Sequence, residues 1–296
     1  MSTPVRIIEV GPRDGLQNEP TIISTADKLD FIAALIEAGC REIEVASFVH
    51  PKLVPAMADA AEVVAGLPPT PPHGVFWSLV PNGKGYLRAE EAGARAVAVF
   101  AAASETFSQK NIGRSIADSL EEYERVVTLA RADGCRVRGY VSTITHCPYE
   151  GRISPEVVLS VAERLLAMGC EEVSLGETLG RAEPADIDTL LTQLLPTLPV
   201  EKLAGHFHDT GGHAIENVSV ALNHGLRAFD SSAAGLGGCP FAPGAAGNVA
   251  TETLVRFLES QGYSTGIDAG EIAEAGQRLR GLLSSSPSPT FEKSEA

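Results

Sequence analysis

His206 and His208 are one residue apart in Gly205-His206-Phe207-His208-Asp209-Thr210. In an extended segment, residues i and i+2 project to the same side, so both imidazoles face one way. Two imidazoles on one face can ligate a metal ion. The competing reading is a histidine pair with purely structural hydrogen bonds. Polar groups at other predicted strand ends weigh toward the metal: Arg13 and Asp14, Glu44, Arg138, Glu177 and Asn248. These positions lie far apart in sequence, and packing alone gives no reason for their shared polarity. A carboxylate (Asp14), two imidazoles and an amide oxygen (Asn248) could share one divalent ion and leave two octahedral positions for a chelating substrate. The mixed nitrogen and oxygen set leaves Mn, Co, Zn and Mg open.

The elements that must position these groups repeat with one beat. Strands are predicted at residues 5–10, 42–46, 75–80, 96–100, 135–142, 172–176, a seventh ending in the two histidines, and 227–232. Helical patterns follow each one. Ser24 or Thr25 caps a helix to about residue 38, residues 52–65 form the second, and a short one ends near Ala92. A polar loop at 104–114 precedes a long helix at 115–132. Pro155 and Pro184 sit in the first turns of the next two. A pattern from His213 and helices at 249–260 and 269–283 complete the series. Eight strand–helix units predict an α/β chain folded as a (β/α)8 barrel with a C-terminal helical extension, spanning 1–283 as a single domain. A doubly wound open sheet is the alternative, but no GxGxxG turn follows strand one. Residues 284–296 are Ser/Pro-rich and charged, and are predicted to be disordered.

Composition narrows the partners. A net charge of −15 argues against nucleic acid and against an anionic membrane surface. It leaves room for a phosphorylated ligand, which needs only a few local cations. The five cysteines are dispersed and form no CxxC pair, which suits a reduced, cytoplasmic setting. No signal segment or membrane-length apolar run is read in the sequence.

The motifs then carry a resemblance. Val10-Gly11-Pro12-Arg13-Asp14-Gly15-Leu16-Gln17-Asn18-Glu19 resembles the opening signature of the 3-hydroxy-3-methylglutaryl-CoA lyase family. So do Ala46-Ser47-Phe48-Val49, Arg138-Gly139-Tyr140-Val141-Ser142 and Cys147-Pro148-Tyr149-Glu150-Gly151. The loop Ala234-Gly235-Leu236-Gly237-Gly238-Cys239-Pro240 and the pair Gly247-Asn248 match as well. The likeness runs from about Val5 to Gly266. It implies a TIM-barrel carbon–carbon lyase that cleaves 3-hydroxy-3-methylglutaryl-CoA to acetyl-CoA and acetoacetate, the chemistry of leucine degradation and ketone-body formation. It implies Mg²⁺ or Mn²⁺ held by Asp14, His206, His208 and Asn248. It implies catalytic roles for Arg13, Asp14, Glu44, His206 and Cys239, and a homodimer. Arg13, Gln17, Lys110, Arg138, Tyr140, Ser174 and Glu177 are the expected contacts to the acyl-CoA substrate, Lys110 through the CoA phosphates.

Three positions depart from the pattern. Glu177 stands where the family usually has Asp, His146 where many relatives have Gly, and Gly211 where a larger side chain is usual. They point to an alternative: a homologous lyase for a longer or differently branched 3-hydroxyacyl-CoA. Two further readings are a condensing enzyme of the synthase branch and a catalytically inactive binding barrel. The loop around Cys239 counts against the first, and the intact Arg13-Asp14 and His206/His208 sets against the second.

Overall fold

Eight parallel strands close on themselves in the computed structural model, which describes residues 2–237 and 247–285. They are β1 (Arg6–Glu9), β2 (Glu42–Ser47), β3 (Val75–Leu79), β4 (Ala96–Ala102), β5 (Arg136–Ser142), β6 (Glu172–Glu177), β7 (Leu203–Phe207) and β8 (Ala228–Ser231). Each strand pairs with the next in chain order, and β8 returns to β1 with Ala228 beside Arg6 and Asp230 beside Ile8. This is the (β/α)8 barrel that the sequence predicts.

The two-residue strand period explains why the barrel holds. One set of side chains, including Ile8, Trp77, Ala96, Ala204 and Ala228, packs inside the barrel. Their sequence neighbours, among them Ile7, Ile43, Val97, Val173, Leu203 and Phe229, point outward into the larger core beneath the helices. The strands are thus apolar on both faces, as buried parallel strands must be.

The helices are α1 (Thr25–Glu37), α2 (Ala60–Ala65), α3 (Gly83–Glu91), α4 (Glu105–Ile112), α5 (Ile116–Ala132), α6 (Pro155–Met168), α7 (Pro184–Leu194), α8 (Ala214–Asn223), α9 (Thr251–Ser260) and α10 (Ala269–Ser285). Ser24 caps α1 by accepting from the Asp27 amide at 3.2 Å, and Pro155 and Pro184 open α6 and α7. Two expectations are corrected. The helix predicted at 52–65 is a short 3-10 turn (Pro55–Met57) followed by α2, because Pro55 has no amide hydrogen to extend a helix backward. The polar loop predicted at 104–114 is α4, capped by Ser104 Oγ on the Phe107 amide and ended by Gly113 at φ 68°. Helix α10 reaches Ser285, past the predicted tail boundary at 284, and residues 286–296 lie outside the described residues.

Polar side chains also cross the barrel interior. Arg138, third in β5, is fully buried; it pairs with Asp230 at 2.6 Å and Glu172 at 2.9 Å. Glu172 in turn binds Arg6 at 2.7 Å, and Arg6 binds Glu42 at 2.8 Å. Each buried charge in this column has an opposite partner, which such burial requires.

Candidate metal centre and active site

After β1 the chain enters a tight turn, Gly11–Gly15, of π-helical form. The amides of Arg13, Asp14 and Gly15 all converge on the Val10 carbonyl, at 3.2, 2.8 and 3.2 Å. This turn carries Arg13 and Asp14 onto the C-terminal mouth of the barrel, where a cavity of about 510 Å³ opens. Arg13, Asp14, His206 and His208 all line it.

The histidines arrive from β7, as their spacing predicts. Their Nε2 atoms face each other at 3.3 Å. Asp14 joins them, with one ligand atom from each of the three residues lying within 4.8 Å of the others. Asn248 is placed by backbone pairing: it bridges His208, and the amide of Val249 bonds the Phe207 carbonyl at 3.0 Å. Its Nδ2 donates to Asp14 Oδ2 at 2.7 Å and to the Leu236 carbonyl at 3.1 Å. That leaves Asn248 Oδ1 buried with no hydrogen-bond partner among the described residues. A buried amide oxygen without a donor is costly unless something electropositive meets it. Two imidazole nitrogens, a carboxylate and this orphaned oxygen fit one divalent cation.

Electrostatics keep the donors in the forms a cation needs. Burial opposes the charge on Asp14, but Arg13 and the two imidazoles outweigh it and hold the carboxyl down at about 2. Burial, with His206 beside it, lowers His208 to about 4, so its ring is neutral at ordinary pH. His206 Nδ1 lies 3.1 Å from Asp230 Oδ2, which also accepts from Ser174 Oγ at 2.7 Å. Asp230 is held well below the usual carboxylate range, against its burial, by Arg138.

Arg13 is clamped from two sides. Its Nε donates to Glu44 Oε2 at 2.6 Å and its Nη1 to Asp14 Oδ1 at 2.6 Å. Glu44, wholly buried, therefore positions Arg13, and its own carboxyl is raised by that burial. The HMGL-like family model matches residues 4–279.

The chain belongs to the HMGL-like family.

Two curated relatives bear on its activity. Hydroxymethylglutaryl-CoA lyase of Pseudomonas mevalonii is 50% identical over 280 residues, 94% of this chain and 92% of the relative. The 3-hydroxy-3-isohexenylglutaryl-CoA/hydroxy-methylglutaryl-CoA lyase of Pseudomonas aeruginosa is 50% identical over 283 residues, 95% of this chain and 94% of that one. Among solved structures, an HMG-CoA lyase of Acinetobacter baumannii in complex with coenzyme A and 3-methylmalate superposes with a TM-score of 0.90 at 37% identity, covering 98% of this chain and 95% of that one.

Within this HMGL-like barrel, the expected substrate contacts divide. Gln17 and Tyr140 line the cavity, and Gln17 Oε1 is buried without a partner among the described residues. Arg138 and Ser174 do not line it: both bind Asp230 in the interior below the mouth. Glu177 does not line it either. It sits beside outward-facing Phe207 in register and accepts from Thr145 at 3.2 Å, so its extra methylene points away from the cavity. Lys110 is exposed on α4 with its ammonium 5.0 Å from the Tyr149 ring centre; Arg114, beyond that helix, lines the cavity instead. His146 lies on a short strand paired with Arg152, off the cavity lining. Gly211 has a local reason, since a Cβ there would come 2.9 Å from the Gly180 carbonyl. Cys239 lies outside the described residues. Asp230 is the residue that sequence reasoning missed. Its signal was an acid inside the apolar strand Ala228–Ser231.

Proposed function

We propose that this chain cleaves 3-hydroxy-3-methylglutaryl-CoA to acetyl-CoA and acetoacetate. The observation that carries the reading is that Asp14, His206 and His208 cluster on the cavity wall that also carries Arg13, with Asn248 tied to Asp14 behind them. Asp14, His206, His208 and Asn248 would hold Mg²⁺ or Mn²⁺, which supplies Lewis acidity toward the substrate's hydroxyl and carboxylate oxygens. A base takes the hydroxyl proton, and the O–H bonding pair becomes the second bond of a new carbonyl at C3. The C2–C3 bond breaks, and its electron pair departs as the enolate of acetyl-CoA. Arg13 donates to the thioester oxygen as that charge develops, and Glu44 keeps the guanidinium aimed. Cys239 is the proposed acid that returns a proton to the enolate carbon. Arg114, which lines the cavity, is the proposed contact to a CoA phosphate. A homodimer and a cytoplasmic setting complete the reading, together with a place in leucine degradation or ketone-body formation. The test is a product assay: the substrate should yield acetyl-CoA and acetoacetate in equal amounts, and neither product would form if the reading is wrong.

A second reading is favoured by the apolar wall of the cavity. Leu79, Phe100, Phe107 and Ile112 line the cavity along with the donor cluster and Arg13. An apolar wall would favour a longer apolar 3-substituent, which is the alternative substrate. Relative kcat/KM across a series of 3-alkyl chain lengths separates the two readings.

A further inference from the structure

Glu9 is fully buried, lies off the cavity and has no part in the chemistry above. It ends β1 and pairs in register with Ser231. Inward-facing Ile8 precedes it, so its side chain points away from the barrel axis. Its Oε1 accepts from two backbone amides, Gly11 at 2.8 Å and Ala233 at 2.9 Å. Its Oε2 accepts from the Thr251 hydroxyl at 2.6 Å, which also bonds Ser231 at 2.8 Å.

Those three donors belong to the segments that carry two of the metal donors. Gly11 opens the turn bearing Asp14. Ala233 opens the turn that runs to Leu236, whose carbonyl fixes Asn248 Nδ2. Thr251 begins α9, three residues after Asn248. The second turn needs holding: Ala234 sits at φ 58°, a conformation costly for a residue with a Cβ. Its amide is bound by Glu252 at 3.1 Å and its carbonyl by Arg280. Gly11 is matched to the contact as well, because a Cβ there would lie 2.6 Å from Glu9 Oε1.

We propose that Glu9 is a positioning residue for the metal centre, its carboxyl pinning the Asp14 turn against the Asn248 segment so that both oxygens meet one ion. The inference rests on the donor set assigned above and not on the identity of the substrate. It requires an acceptor at Oε1 and not a charge. A neutral carboxyl keeps Oε1 as acceptor and turns its hydroxyl toward Thr251. A glutamine does the same with its amide. Leucine has comparable bulk and neither function.

The test is Mn²⁺ binding by electron paramagnetic resonance on the full chain, stripped with chelator, without substrate and well below the melting temperature. Glu9→Gln should bind within about 3-fold of wild type, and Glu9→Leu should bind at least about 10-fold more weakly, the usual worth of a residue that orients metal ligands. Thr251→Val removes the Oε2 contact together with the hydrogen bond to Ser231, should give an intermediate loss, and decides the matter if Glu9→Leu does not fold. Wild-type affinity in Glu9→Leu, or in Thr251→Val in its place, would overturn the proposal while leaving the donor set intact. A wild-type chain that binds no Mn²⁺ would overturn the donor set and this inference together.

Discussion

Asp230 Oδ2 lies 3.1 Å from Nδ1 of His206, on the far side of the ring from His208. The contact makes Nδ1 the protonated nitrogen and leaves the Nε2 lone pair free for a cation. Among the described residues His208 has no such support, and its Nδ1 is buried without a partner there. The two imidazoles are therefore held unequally, one by an ion-paired carboxylate and one by packing.

Replacing Asp230 with Asn should weaken Mn²⁺ affinity by about 10–100-fold, because the amide holds the ring less firmly and can favour the wrong tautomer. Arg138 would also lose its charged partner, so circular dichroism must accompany the binding titration. Unchanged affinity in a folded variant would show that the contact does not tune the ligand.

Arg13→Ala should lower kcat by about 10²–10³ with a smaller change in KM, since enolate charge develops only as the bond breaks. Arg13→Lys should recover only part of the rate. The Nε and Nη1 contacts to Glu44 and Asp14 diverge from a planar fork, which an ammonium lacks. An effect confined to KM would make Arg13 a binding group alone.

Glu9 should leave a signature in stability against pH. Burial raises its carboxyl from 4.5 to about 7 in the folded chain, with Glu252 adding to the effect against three hydrogen bonds that oppose it. Between those values the folded chain holds a proton that the unfolded chain has released, so stability falls as pH rises through the window and levels off above it. Glu9→Gln lacks this step. Urea unfolding of metal-free protein at about pH 5 and about pH 8 should show wild type losing roughly 2–3 kcal/mol more than the variant. Parallel profiles would place the carboxyl near its ordinary value.

The cysteines give a chemical test of the sequence assignment to Cys239. Cys40, Cys135, Cys147 and Cys170 are all buried, and Cys147 Sγ lies 2.9 Å from Ser104 Oγ. Iodoacetamide should thus inactivate through Cys239, and Cys239→Ser should resist it while losing most of kcat. Inactivation at the wild-type rate in that variant would move attention to Cys147.

Which parts of this were legible in the sequence follows from the physics of strands. Eight apolar runs spaced by helical patterns gave the barrel, and the i, i+2 spacing of His206 and His208 gave the shared face. Depth along a strand was not legible. Arg138 and Ser174 were read as substrate contacts, and the barrel places both beneath the mouth, where they bind Asp230. Glu177 was read as a strand-end carboxylate in the mouth, but it follows inward-facing Gly176 and so turns outward. Glu9 gave no pattern at all, because its partners are backbone amides and one hydroxyl brought together only by the folded turns. The helix α4 could have been read from Ser104 and Gly113, the residues that cap it.

The proposed lyase works through one cation held by Asp14, His206, His208 and Asn248. The most direct measurement is acetyl-CoA release from 3-hydroxy-3-methylglutaryl-CoA before chelator treatment, after it, and after Mn²⁺ or Mg²⁺ is returned, with His206→Ala carried in parallel. Activity should be lost on chelation, restored by the added cation in wild type, and not restored in His206→Ala. Full turnover by the metal-stripped chain, or restoration in His206→Ala to the wild-type rate, would contradict it.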